Sequence, residues 1–182
     1  SPIRTERMQQ FLLFSLSLCI SCSNDLQNTI IEKDKLNART DVGKNIEVNY
    51  SENATRAAIL TAPTMVKQED TSFKTYFPDG IILKLYDSLG TISSTMTSKY
   101  GEHDHKTNQM KARDSVKVVS IDGRILKAQE IIWIENMRQM ISYGQVEIQN
   151  KNEIIYGDTL FADENLKRYV VKKIRGIVHV AK

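Results

Sequence analysis

From residue 44 onward the apolar positions mostly alternate with polar ones, a period of two that turns one set of side chains to one face of a strand. Ile46, Val48 and Tyr50 open the pattern. Residues 81–86 lead into the turn Asp87-Ser88-Leu89-Gly90 and residues 91–96 leave it, with glycine where a positive φ is needed. Residues 115–120, the turn Ile121-Asp122-Gly123-Arg124 and residues 125–128 repeat the design, and Asp-Gly is a strong hairpin signal. A third copy runs through 145–149, Asn150-Lys151-Asn152 and 153–156, and residues 173–180 give a last alternating strand. An aromatic follows each hairpin, at Tyr100, Trp133 and Phe161, which suggests a repeated unit of about 30 residues. No stretch of 12 residues combines a 3.6 period with helix caps. The predicted fold is all-β: an open, twisted antiparallel jellyroll of short strands built from stacked hairpins.

The first 40 residues read differently. Residues 11–20 are an apolar run with Arg4 and Arg7 before it and Ser21 and Cys22 after it, the order of a secretory signal. The run is shorter than the roughly 20 apolar residues that a membrane-spanning helix needs. Cys19-Ile20-Ser21-Cys22 resembles a bacterial lipobox, whose last cysteine takes a diacylglyceryl group and becomes the new N-terminus. Cys19 stands where leucine is usual, so a rival cleavage and an uncleaved anchor stay open. The expected organisation is a signal peptide over 1–21, with Met8 read as the initiator, a lipid-anchored tether over 22–40, and a β-domain over 41–182. Two or more acyl chains on Cys22 would hold a membrane stably.

Composition sharpens this in two ways. The formal charge of +3 comes from Lys and Arg interleaved with Asp and Glu, so the chain carries no nucleic-acid footprint. Both cysteines, Cys19 and Cys22, lie in the leader, so the β-domain must be stable without disulfides.

Catalytic and metal chemistry find little support. Glu102-His103-Asp104-His105 sets four ligand types in a row, but with Gly101 before it and Lys106-Thr107-Asn108 after it the segment reads as a solvated loop, and no metal is expected. Gly-x-Ser-x-Gly and phosphate-loop patterns are missing, so neither an enzyme nor a cofactor is expected. What remains is apolar area. Alternation turns Leu83, Leu85, Val116, Val118, Val146, Ile148, Val178 and Val180 inward, where they either line an open slot for acyl chains or close a dry core.

The segments Ala62-Pro63-Thr64-Met65, Tyr76-Phe77-Pro78-Asp79-Gly80-Ile81, Tyr86-Asp87-Ser88-Leu89-Gly90, the run 112–118, Asp122-Gly123, Ile132-Trp133 and Tyr156-Gly157-Asp158 together resemble the LptC family, in its Bacteroidetes lipoprotein form, over about residues 44–180. That family is the periplasmic component of the lipopolysaccharide export ABC transporter. The resemblance implies a lipid-anchored protein on the periplasmic side of the inner membrane. Such a protein takes lipopolysaccharide from the transporter into an apolar groove and hands it to an LptA-like bridge protein by strand-to-strand stacking. The last strand, with Ile174, Gly176, Ile177 and Val178, is the expected partner edge. The alternative is a non-catalytic structural or adaptor lipoprotein with a closed β core.

Overall fold

The computed structural model describes residues 40–52, 55–68 and 73–179. Cys22, the tether up to residue 39 and Val180 lie outside the described residues. The elements are β1 (Thr40–Glu52), β2 (Thr55–Gln68), β3 (Lys74–Phe77), β4 (Ile81–Tyr86), β5 (Ile92–Ser98), β6 (Tyr100–Asp104), β7 (Gln109–Ser120), β8 (Ile125–Ile134), β9 (Gln139–Gln149), β10 (Glu153–Asp163), β11 (Tyr169–Lys172) and β12 (Gly176–His179), with one 3₁₀ turn at Glu135–Met137. All twelve strands join one antiparallel sheet. The all-β expectation holds, but the strands are longer than the sequence suggested. The expected strand at 115–120 is the second half of the 12-residue β7.

Three pairs of short strands are halves of a single pass. β3 and β4 both pair β2, β5 and β6 both pair β7, and β11 and β12 both pair β10. Among the described residues the sheet is therefore a meander of nine passes, each bonded only to its neighbours in sequence. The turns expected from the sequence make the joins. Gly90 and Gly123 sit at φ 76° and 86°. Asp87 Oδ1 accepts from the Leu89 and Thr91 amides, and Asn150 Oδ1 accepts from those of Asn152 and Glu153. These are side-chain-closed turns of the kind Asp and Asn favour.

Every pass breaks at the same level. In β1, Asn45 takes φ 49° opposite Pro63 of β2, and the ladder skips that pair. The proline's missing N–H is thus placed where no ladder bond is made. The third pass turns at Pro78, Asp79 and Gly80, and the fourth at Lys99, whose amide donates to the Asp114 carbonyl. Asp114 and Ser115 of β7 both have positive φ. Register then shifts between Ala128 and Ile132 in β8, opposite Gly144 of β9, and again between Gly157 and Thr159 in β10. The last pass breaks between Lys172 and Gly176, with Lys173 at φ 50°. Bulges and left-handed residues bend a strand locally. Aligned across nine passes, they fold the sheet into two leaves along one crease. Residues 173–180 are consequently not one continuous strand: alternation is blind to the backbone angle at Lys173.

The inner faces of the leaves close on one apolar core. Ala58, Leu60, Leu83, Leu85, Met96, Val118, Leu126 and Ile148 come from one leaf, and Phe77, Met110, Ala112, Ile131, Trp133, Met140 and Leu160 from the other. Most alternate with exposed or half-buried neighbours, the signature of a sheet with one dry face; Ala58 and Leu85 also have a buried neighbour, Ala57 and Tyr86.

Candidate functional site

Six of the eight residues assigned to an inner face, Leu83, Leu85, Val116, Val118, Val146 and Ile148, are 0–3% exposed and sit together in the core. Val178 does not join them. It lies in β12 at the rim of the sheet and is 51% exposed, because the backbone break before Gly176 sets the terminal pass apart from the alternation upstream.

The interior runs from one sheet edge to the other, across the strands. At one edge, among the described residues, β1 pairs only β2, and it exposes Asp41, Val42, Lys44 and Glu47. At the other, among the described residues, β11 and β12 pair only β10, and Val170, Ile174, Ile177 and Val178 are about half exposed beside the exposed Lys172, Lys173 and Arg175. Ile174, Gly176, Ile177 and Val178 thus come together at one edge, with Ile174 in the break and the others in β12. Gly157 lets the last pass approach closely. A Cβ there would collide with Val171 Cγ1.

Opposite the crease, side chains hold the mouth between the leaves. Near the β1 edge, Tyr50 packs edge-on against His103 and Trp133, with centroids 5.3 and 6.3 Å away. Farther along, Arg138 donates to the Tyr86 carbonyl and to the Glu164 carboxylate. The Ser94 hydroxyl donates to the Glu164 carbonyl at 2.5 Å, and Asn150 Nδ2 donates to the Tyr169 hydroxyl at 3.4 Å. The sequence offered no sign of this row, because each member is an isolated polar or aromatic residue within its own strand or turn.

Burial tunes the titratable members. Glu164 is pushed up to about 7, chiefly by desolvation, against the pull of Arg138 and of the nearby Trp133 indole N–H. Neither that N–H nor Glu164 Oε2 completes a hydrogen bond. His103 falls to about 4, first through burial and then through the adjacent His105 ring. Burial, and then the charge of Glu135, raises the Tyr50 phenol. The segment 102–105 is not the expected solvated loop. Tyr100–Asp104 is a strand, with His103 turned inward between Glu102 and Asp104, and His105 Nε2 lies 2.8 Å from Thr75 Oγ1. Among the described residues, no group of three or more His, Cys, Asp and Glu side chains is placed to hold a metal ion.

The three repeat aromatics share one leaf but not one face. Trp133 enters the core, whereas Tyr100 stacks under Arg113 at 4.3 Å and Phe161 meets Tyr143 edge-on. Among the described residues no helix is long and apolar enough to cross a membrane.

No family model matches the sequence, and no curated protein matches it. Among solved structures the chain is similar to the crystal structure of LptH, the LptA homologous periplasmic component of the conserved lipopolysaccharide transport device from Pseudomonas aeruginosa, at 8% identity and a TM-score of 0.49, over 79% of this chain and 95% of that one.

Proposed function

We propose that this chain is a non-enzymatic carrier of lipopolysaccharide, of the LptC kind, held at the periplasmic side of the inner membrane by a lipid on Cys22. It accepts lipopolysaccharide from the inner-membrane ABC transporter and passes it to an LptA-like bridge protein. The observation that carries this reading is an apolar interior running across the strands between two sheet edges that pair no further strand among the described residues. A partner strand added to such an edge extends the hydrogen-bonded ladder and the interior at once. Acyl chains can then move from one protein into the next without crossing water, whose exclusion is worth about 0.8 kcal/mol per buried methylene. The partner edge is the last pass, with Ile174, Gly176, Ile177 and Val178.

A second reading, an adaptor whose leaves stay shut, is favoured by the near-zero exposure of the six inner residues. Photocrosslinking separates the two. A probe at Val118 should label with lipopolysaccharide, while one at the outward Lys117 should not. Silence at both positions in folded protein would leave the adaptor.

A further inference from the structure

The segment from residue 164 to 168 joins β10 to β11 and lies across the mouth. Its composition is that of a surface turn, yet Leu166 is fully buried in the core cluster and Glu164 is 4% exposed. Leu166 holds φ 57°, a left-handed conformation that a γ-branched side chain rarely adopts. Glu164 Oε2 and Trp133 Nε1, both buried, lack hydrogen-bond partners. The segment is tied to the opposite leaf by Ser94, and Glu164 is bonded both by the Arg138 guanidinium and, through its own amide, to the Arg138 carbonyl. Directly outside it is a cleft of about 1150 Å³, bordered by Asp87, Met137, Arg138, Phe161, Asn165 and Val170. A loop leucine in the core, set on an unfavourable backbone and flanked by orphaned polar atoms, is a filler that the surrounding structure holds at a cost.

We propose that residues 164–166 form a displaceable plug, and that the cleft outside it is the port through which a single fatty acyl chain reaches the interior. Leu166 occupies apolar space that the chain would take over, and its departure relieves the left-handed strain and rehydrates Glu164. The inference rests on the carrier reading above.

Trp133 is the sole tryptophan, lies against Glu164 and is 1% exposed, so it reports on the plug. Full-length protein is mixed with dibromostearate, whose bromines quench a tryptophan they touch, with unbrominated stearate as control. Leu166→Gly, which suits a positive φ and empties the leucine site, should be quenched about tenfold faster than the parent. Ser94→Ala, which removes one tie, should give a rise of about threefold and decides the matter if Leu166→Gly does not fold. Quenching of Leu166→Gly alone supports the plug. Equal rates and equal concentration dependence in parent and variants would overturn the plug and leave the carrier standing. No quenching in any folded protein would remove both.

Discussion

The crease and the mouth hold the same two leaves together by opposite means. The crease is backbone: glycines, two prolines, left-handed residues and register shifts, aligned pass after pass. The mouth is side chain: an aromatic contact at Tyr50, the Arg138 guanidinium donating to the Tyr86 carbonyl, and single hydroxyl and amide bonds beyond them. Changing the first requires the chain to find new dihedral angles, while changing the second requires only that a few rotamers move. A sheet built this way is hinged on one side and latched on the other.

Substitutions at the two lines should therefore behave differently. The largest effect is expected at Gly80, which sits at φ 93° and where a Cβ would meet the Ser98 carbonyl oxygen at 2.5 Å. Gly80→Ala should cost about 3 kcal/mol, read as a shift in the urea midpoint. A variant as stable as the parent would mean that the crease is not set by backbone constraint at this pass. At the mouth, Arg138→Met leaves the Glu164 carboxylate without its guanidinium. The expected loss is nearer 2 kcal/mol, since the Arg138 side chain is partly solvated. Hydrogen exchange should localise that loss to the turns along the mouth and spare the crease amides. Uniform loss across the sheet would erase the distinction.

A smaller effect separates two points of the mouth by pH. Glu164 has a raised pKa in the folded state, so the stability it contributes is fully present below 4.5 and is lost as pH rises through about 7. His103 has a lowered one, so its contribution is present above 6.5 and is lost as pH falls through about 4. The two slopes oppose each other over the same window and partly cancel. Relative to the parent, Glu164→Gln should lose stability on going from pH 7 to pH 5, and His103→Phe should gain it. Midpoints of both variants that track the parent's across that range would show that neither group is desolvated as described.

The sequence marked the hairpins around Gly90, Gly123 and Asn150 because turn chemistry is local: one glycine or one amide side chain decides it. It did not mark β2. The inward set there is Ala58, Leu60, Ala62 and Thr64, small or polar residues that weaken the alternation, and Pro63 reads as a breaker unless the skipped pair at Asn45 is known. The same holds for β3 and β6, whose inward positions include Thr75, Gly101 and His103. Alternation follows the buried face where flanking strands fix the register, as at Val118 and Ile148, and does not carry over to Val178, where a break lies upstream. The mouth was illegible for a deeper reason. Ser94, Arg138 and Glu164 are far apart in sequence, and their meeting follows from the crease, which itself is visible only once all nine passes are aligned.

Because each pass is hydrogen-bonded, among the described residues, only to the passes before and after it in sequence, the ladder is in effect a one-dimensional array. At about 4.8 Å per strand, nine passes give an interior roughly 40 Å from edge to edge. Length is then a modular quantity: adding or removing one hairpin changes the span by about 10 Å and leaves the crease angle and the remaining ladder as they were.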